Sequence, residues 1–249
     1  MPTVWFIRHG ESEANVGLPT TSPESVKLTK RGWKQAEYIA RAFTTQPDII
    51  VTSPYIRTKE TAQPTLERFP ASRHEKWQVQ EFTYLSPSQY QNTTIEERRP
   101  LAHAYWQCLN PLHIDGEGAE SFSLFIQRVQ QILTKIFTYE NDFIAIFSHE
   151  QFIRAVLWII ARRVLQGNTQ DIENNISPEE MQQFHQFLKA FSMPNGSIAQ
   201  FTWRVGETPR PGKIITDHLP EWKEKKSGVD LWLQNNTTTL ASLKTCISI

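Results

Sequence analysis

Three short apolar runs, each followed by polar residues and then a helical pattern, constrain the fold of this chain most strongly. The runs are Val4–Ile7, Ile49–Val51 and Phe143–Phe147. Each is continuous, lacks helical spacing and is too short for a helix, so each predicts a buried strand. Strand-then-helix units in succession favour parallel pairing with right-handed crossovers. We therefore predict an α/β fold, a three-layer αβα sandwich with a mostly parallel central sheet and helical insertions over its carboxyl edge.

The remaining elements follow from local signals along the chain. Thr29 suits the N-cap of a helix from about Trp33 to Phe43. Ser53, followed by Pro54, is predicted to cap the next helix. A third strand is predicted over Trp77–Glu81. The other predicted elements are helices over Thr94–Leu109 with an interruption at Pro100, Ser121–Tyr139, Phe152–Leu165 and Pro178–Phe191, and strands over Ser197–Val205 and at Ile214-Ile215.

The length and composition indicate one soluble globular domain. The sequence shows neither an internal repeat nor a linker, so residues 1–249 are predicted to form one domain with insertions near 86–118 and 166–195 and a weakly patterned tail over 220–249. Lys plus Arg and Asp plus Glu both number 26, which gives no charge footprint for a nucleic acid or an anionic membrane. Neither a spanning apolar run nor a secretory signal is present, and we expect a cytoplasmic protein.

Charged and imidazole side chains follow the predicted strands. Arg8 and His9 end the first strand, Arg57 lies just inside the helix after the second, and His149 follows the strand that begins at Phe143. Parallel strands place their carboxyl ends at one edge of the sheet, so these groups are expected to converge. Gly10 is expected to permit the sharp turn after the first strand. An isolated Arg-His pair would indicate only an ordinary strand end, whereas two guanidiniums and two imidazoles together predict a pocket for a dianion.

Four motifs occur in order between residue 4 and about residue 165. They are Arg8-His9-Gly10-Glu11-Ser12-Glu13-Ala14-Asn15, Leu28-Thr29 with Gly32, Thr52-Ser53-Pro54 with Arg57-Thr58 and Glu60-Thr61-Ala62, and Ser148-His149. In this order and spacing they resemble the histidine phosphatase superfamily, whose members are phosphoglycerate-mutase-like. The later segment from Asn195 to Ile198 is similar to the closing strand of that family. The resemblance places this chain in the phosphatase branch.

The resemblance implies a phosphomonoesterase with a phosphohistidine intermediate on His9. Arg8, Arg57 and His149 would hold the nonbridging oxygens in the transition state, and Asn15 would add a hydrogen bond. These groups would supply the positive charge that magnesium supplies elsewhere, so neither a metal nor another cofactor is expected. The expected partner is a small phosphorylated substrate, with a phosphoprotein also open. The sequence leaves the oligomeric state undetermined.

The general acid is expected after the third strand, where the family usually has a Leu-x-Glu pattern. Val79-Gln80-Glu81 takes that place, which makes Glu81 the candidate, with a pKa raised by partial burial. The weaker candidates are Glu11, Glu13 and Glu97.

Three other charged positions carry expectations of their own. Glu150 stands where many members of the family have glycine, and it is expected to pair with Arg154 so that only its backbone N–H faces the substrate. Glu120 is interpreted as a first-turn acid of a helix, or else as a residue facing the pocket. Arg98 and Arg99 are interpreted as a solvated helix face.

Two alternatives to a phosphatase stay open. One is a phosphoglycerate mutase, although such mutases typically carry a Glu-Arg-His-Tyr-Gly-like segment where this chain has Glu81-Phe82-Thr83-Tyr84-Leu85. The other is a phosphate-binding or interaction module with a degenerate site, against which the intact Arg8, His9, Arg57 and His149 argue. The substrate itself is not readable from the sequence, and we expect its specificity to lie in the two insertions.

Overall fold

The computed structural model describes residues 2–140, 142–166, 176–190, 192–203 and 210–220. The predicted tail, part of the second insertion and the end of the strand predicted to reach Val205 lie outside these ranges. Within them, no helix is both long and apolar enough to cross a bilayer.

The chain alternates strands and helices through most of its length. The elements are β1 (Thr3–Arg8), α1 (Lys30–Ala42), β2 (Ile49–Thr52), α2 (Ile56–Arg68), β3 (Arg73–Lys76), α3 (Ile95–Cys108), α4 (Phe122–Phe137), β4 (Phe143–Ser148), α5 (Glu150–Gln166), α6 (Pro178–Ala190), β5 (Ile198–Thr202) and β6 (Arg210–Ile215), with short 3-10 turns at Glu13–Val16 and Pro87–Tyr90.

The described strands form one sheet in the order β3-β2-β4-β1-β5-β6. β1, β2, β3 and β4 pair in parallel, and β5 runs antiparallel to both of its neighbours. Arg8 of β1 is in register with Ser148 of β4, and Thr52 of β2 is in register with Phe147. The carboxyl ends of three adjacent strands therefore meet at one edge, as the sequence predicted.

Alternate residues of the central strands enter two separate cores. Val4, Val51 and Ile146 face α4, α5 and α6 in the larger core. Ile50 and Phe147 face the other way, toward α1 and α2. A strand alternates its side chains between the two faces of the sheet, so helices on both faces bury both sets. The predicted three-layer α/β fold is confirmed.

The predicted third strand is displaced along the chain. β3 covers Arg73–Lys76, and the segment Trp77–Glu81 after it is held largely by side chains instead of a strand partner. The Arg128 guanidinium donates to the carbonyls of Gln78 and Gln80, both at 3.0 Å, and the Ser148 hydroxyl donates to the carbonyl of Val79 at 2.7 Å. The apolar residues of this segment, Trp77 and Val79, are buried because they pack into the larger core.

Two predicted helix signals were wrong. Ser53 does not cap α2, which begins at Ile56; instead its hydroxyl accepts from the Tyr55 backbone N–H and contacts His149. α3 is not interrupted at Pro100 but continues through it to Cys108. The start of α3 is held by a capping box, in which Thr94 and Glu97 satisfy one another's backbone N–H groups.

Gly10 is needed for a close approach and not for a turn of special conformation. Its φ lies outside the left-handed region. A Cβ at this position would lie 2.5 Å from the carbonyl oxygen of Gly32, and a Cβ on Gly32 would lie 2.1 Å from that of Glu11. The two glycines therefore let the loop after β1 touch the first turn of α1.

Candidate active site

A cavity of about 320 Å³ opens where β1, β2 and β4 end. We call its charged part the inner end, and it is formed by Arg8, His9, Asn15, Arg57, Glu81 and Glu150. A second part, which we call the apolar wall, comes from one continuous stretch of chain and is formed by Tyr84, Leu85, Tyr90, Ile95 and Ala102. The structure thus brings five of the six predicted site residues to one cavity lining.

Hydrogen bonds fix the orientation of the His9 ring, with Nδ1 on a backbone carbonyl and Nε2 on a guanidinium. Its Nδ1 lies 2.7 Å from the carbonyl oxygen of Gly10, which can only accept, so Nδ1 carries the proton. Its Nε2 accepts from Nε of Arg57 at 3.1 Å. Burial, with help from Arg57 and Arg8, holds the pKa of His9 well below its usual range. The ring is therefore neutral near pH 7, with a lone pair on Nε2.

The two inner-end guanidiniums, that of the buried Arg57 and that of the partly buried Arg8, are anchored by backbone carbonyls. Nη1 of Arg57 donates to Pro23 at 2.6 Å, and Nη1 of Arg8 donates to Met193. Burial lowers the pKa of Arg57 to about 10, which keeps it charged at neutral pH. Nε of Arg8 is buried and has no hydrogen-bond partner among the described residues. The described part of the protein therefore leaves this donor unused.

Asn15 faces the cavity with its oxygen already used. Its Oδ1 accepts from the backbone N–H of Ser12 at 3.0 Å, the hydroxyl of Ser12 at 2.9 Å and the side chain of Asn195 at 3.0 Å. Only the Nδ2 amide is left to contact a ligand. Asn15 can therefore act as a donor to an anion.

His149 lies beside His9, although it is not part of the cavity lining. The two ring centres are 5.2 Å apart, and His149 is completely buried. Its Nε2 is 2.7 Å from the hydroxyl of Ser53, and its Nδ1 has no partner among the described residues. Burial, followed by the charge of Arg57, lowers its pKa well below the usual value. The predicted convergence of both imidazoles is confirmed.

Glu81 presents its carboxyl group to the cavity from the end of the displaced segment. It accepts from the backbone N–H of Gln151 at 3.0 Å and from that of Phe82 at 3.1 Å. Burial raises the pKa of Glu81 and Glu150 raises it further, while Arg57, the Phe82 N–H and Arg8 oppose the shift. The net shift is upward, so this carboxyl keeps its proton to higher pH than an exposed glutamate.

The expectation for Glu150 was right about Arg154 and wrong about the cavity. Its Oε1 does accept from Arg154 at 3.1 Å, but its Oε2 is 2.9 Å from Nη2 of Arg8 and the side chain lines the cavity. The backbone N–H of Met193 also donates to Oε1, at 3.2 Å. The positive end of α5 faces Glu81 through Gln151. The site therefore has a partly buried ion pair where many members of the family have glycine.

The two arginines in α3 differ, and the interpretation as one solvated face was wrong for Arg98. Arg98 is 6% exposed, its Nη1 donates to Thr20 and to Thr93, and its guanidinium lies 4.3 Å from the ring centre of Tyr90. Arg99 is exposed and pairs with Glu96 at 2.5 Å. Arg98 therefore ties α3 to the loop before α1.

The weaker acid candidates all lie outside the cavity lining. Glu11 bonds Thr29, Glu13 accepts from the Lys27 N–H, and Glu97 caps α3. Glu120 precedes the cap of α4 and forms two hydrogen bonds with Arg128, at 2.8 and 2.7 Å, so neither the first-turn role nor the pocket-facing role was right. These acids are structural.

Three supporting residues were missed by sequence reasoning. Asn195 donates from Nδ2 to the carbonyl of His9 at 3.2 Å as well as to Asn15. Thr61 accepts from the N–H of Gly10 at 3.0 Å. Arg128 holds the segment before Glu81. Thr61 and Asn195 lie within segments that resemble the family, and this could have indicated a role in the site. Nothing in the sequence singles out Arg128.

The described part of the chain contains no group of three or more His, Cys, Asp or Glu residues that could hold a metal ion. The cavity carries four guanidiniums and two carboxyl groups, namely those of Arg8, Arg57, Arg98, Arg99, Glu81 and Glu150. This lining suits an oxyanion ligand.

Comparison with known proteins identifies the family in which this arrangement of residues occurs. Residues 4–177 match the family model described as histidine phosphatase superfamily, branch 1. An adenosylcobalamin/alpha-ribazole phosphatase of Salmonella typhi is 25% identical over 166 residues, 65% of this chain and 79% of that protein.

Solved structures share the fold. A mutant phosphoserine phosphatase from Entamoeba histolytica in complex with phosphoserine has a TM-score of 0.63 and 23% identity, over 88% of this chain and all of that one. A mycobacterial glucosyl-3-phosphoglycerate phosphatase has a TM-score of 0.58 and 19% identity, over 84% of this chain and 96% of that one. With the family model matched over 4–177, the chain belongs to the histidine phosphatase superfamily.

Proposed function

We propose that this chain is a phosphomonoesterase that works through a phosphohistidine on His9 and needs no metal ion. The observation that carries the proposal is the orientation of His9, whose Nδ1–H is fixed on the carbonyl of Gly10 while Nε2 keeps a lone pair in the cavity. A neutral imidazole is nucleophilic near pH 7. Membership of the superfamily and the phosphatase relatives support a phosphatase activity.

In the first step Nε2 of His9 attacks phosphorus and the P–O bond to the leaving group breaks. The leaving oxygen takes the proton of Glu81, whose raised pKa keeps that proton available. In the second step water attacks the phosphohistidine, Glu81 accepts its proton, and inorganic phosphate leaves with His9 restored. The carboxyl group thus serves as acid and then as base.

Four donors would hold the phosphoryl oxygens during both steps. Nε of Arg8 and Nδ2 of Asn15 belong to lining residues and are not used by internal hydrogen bonds. Nδ1 of His149, beside His9, would donate in the tautomer whose Nε2 accepts from the Ser53 hydroxyl. Nε of Arg57 now donates to the attacking lone pair of His9, so it must turn to a phosphoryl oxygen when substrate binds. Buried cations aimed at the spreading charge stabilise such a transition state.

Release of phosphate from 4-nitrophenyl phosphate in the presence of EDTA tests the proposal. We expect full activity with EDTA, loss of at least about 10⁴-fold for His9→Ala, and normal activity for the control His103→Ala, an exposed histidine in α3. Activity lost to EDTA and restored by magnesium would contradict the metal-free mechanism. Isomerisation of 3-phosphoglycerate without phosphate release would instead indicate a mutase. A His9→Ala protein as active as wild type would overturn the catalytic assignment.

A further inference from the structure

The cavity beyond the inner end indicates what the phosphate is attached to. Resting on the proposed function, we infer that the substrate is the phosphomonoester of an uncharged, apolar alcohol with a ring, and that compact phosphorylated carboxylic acids are poor substrates. The inference stands on the chemistry of the apolar wall and on how the cations of the lining are already used.

The apolar wall offers aromatic and aliphatic surface where a leaving group would lie. Tyr84 and Tyr90 contribute aromatic side chains to the lining, and Ile95 is 48% exposed although it lines the cavity. An exposed isoleucine at the mouth of a cavity is costly to leave in water, and an apolar ligand would cover it. Aromatic rings favour flat, apolar partners over small charged ones.

The cations of the lining outside the inner end are unsuited to a second anion. Arg98 donates from Nη1 to Thr20 and Thr93 and stacks on Tyr90, so turning it to a substrate carboxylate would break these contacts. The Arg99 side chain is 72% exposed and pairs with Glu96 at the surface. A carboxylate bound there would be in high-dielectric solvent and gain little.

The inner end repels a second anion. Glu150 places a carboxylate 2.9 Å from Arg8, so part of the positive charge that would attract a second acidic group is neutralised within the protein. In a phosphorylated acid of a few carbon atoms, the carboxylate cannot lie far from the phosphate. It would therefore approach Glu150, and like charges at short range disfavour binding.

Three phosphomonoesters, each the ester of a primary alcohol, test the inference. The probes are 2-phenylethyl phosphate, ethyl phosphate and 3-phosphoglycerate. We expect kcat/KM for 2-phenylethyl phosphate to exceed that for each of the others by at least about tenfold, as burial of a phenyl ring supports. Equal or higher values for 3-phosphoglycerate would overturn the inference while leaving the phosphatase intact. Failure on all three and on 4-nitrophenyl phosphate would mean that the proposed function itself fails.

A matched pair of α3 variants locates the effect. Ile95 lines the cavity and Leu101 does not, and their exposures are similar at 48% and 40%. In Ile95→Ala we expect the ratio of kcat/KM for 2-phenylethyl over ethyl phosphate to fall about threefold to tenfold. Leu101→Ala should keep the wild-type ratio. An unchanged ratio in Ile95→Ala, or the same fall in both variants, would contradict a leaving-group site on the apolar wall.

Discussion

The inner end and the apolar wall share one cavity but are built in different ways. The inner end takes its side chains from the end of β1 and from the segments that follow β1, β2, β3 and β4, and its groups are fixed by neighbours such as the carbonyls of Gly10 and Pro23. The apolar wall comes from the single stretch 84–102, which includes the start of α3. The first region is held by the sheet, whereas the second rests on an insertion.

On the proposed function, this difference assigns the reaction to the inner end and the choice of substrate to the apolar wall. A nucleophile needs a fixed direction, which the end of a buried strand provides, and its position is preserved by contacts across the sheet edge. A leaving-group site needs only complementary surface, and a surface segment can change without moving the nucleophile. Substitutions at the inner end should therefore act on every substrate, and substitutions in the wall should act on the choice among them.

Besides His9→Ala, we expect the largest loss of activity among substitutions in the two regions for Glu81→Gln at the inner end. Its kcat on 2-phenylethyl phosphate should fall about 10²–10⁴-fold, because an alkoxide leaves poorly without a proton. The first step with 4-nitrophenyl phosphate should change far less, since that leaving group needs no proton; stopped-flow release of 4-nitrophenol measures it. Equal losses of this step with both substrates would contradict the role of Glu81 as acid.

The pH profile gives the same assignment an independent check. Wild-type activity should fall as pH rises through the raised pKa of Glu81, because only the protonated carboxyl can donate. That alkaline limb should be absent from the profile of the Glu81→Gln first step. Because the pKa of His9 is lowered, its acid limb should lie below the usual titration range of histidine.

A smaller effect is expected for Glu150→Gln, which removes a charge from the inner end but keeps the shape of the side chain. Inorganic phosphate should inhibit about tenfold more strongly, because Arg8 is no longer neutralised. The alkaline limb should move to lower pH, since the charge of Glu150 raises the pKa of Glu81 while Arg57 and Arg8 lower it.

Glu180→Gln is the matched control for this change. Glu180 also pairs with an arginine, and its side chain is 20% exposed against 21% for Glu150, yet it is not part of the cavity lining. We expect neither the inhibition constant nor the pH profile to change in this control. Weaker inhibition by phosphate in Glu150→Gln would show that the carboxylate mainly positions Arg8.

The smallest effect concerns the support of the apolar wall. Arg98→Met should lower the free energy of unfolding by about 1–3 kcal/mol, because it removes the hydrogen bonds from the buried Arg98 guanidinium to Thr20 and Thr93. Arg99→Met should change it by less than about 0.5 kcal/mol, since its ion pair is exposed. Urea unfolding of both variants measures the difference. Similar losses would mean that Arg98 does not anchor α3.

Sequence reasoning succeeded where the signal was local and failed where it depended on distant contacts. The strands β1, β2 and β4 and the positions of Arg8, His9 and Arg57 follow from apolar runs and the residues that end them, whereas β3 carries no such run. The partner of Ser53 could not be predicted, because His149 is 96 positions away and reaches it only through the sheet order. The buried state of Arg98 depends on Thr20 in the same way.

The apolar wall shows the same limit. Tyr90 and Ile95 carry no motif, and their place in the cavity depends on how the insertion folds back over the sheet edge. The sequence did predict that specificity would lie in the insertions, but it did not indicate the chemistry of the surface. The Glu150 pair with Arg8 was likewise unpredicted, because it joins the ends of β1 and β4.

Trapping of phosphate on His9 would detect the proposed phosphohistidine itself. Glu81→Gln should accumulate the intermediate from 4-nitrophenyl phosphate, because attack needs no acid there but hydrolysis of the phosphohistidine needs the base. After quenching in alkaline denaturant, mass spectrometry of peptides should show phosphate on His9 that acid removes, with none when His9→Ala is added. A burst of 4-nitrophenol without phosphate on His9, or with phosphate on another residue, would contradict the account.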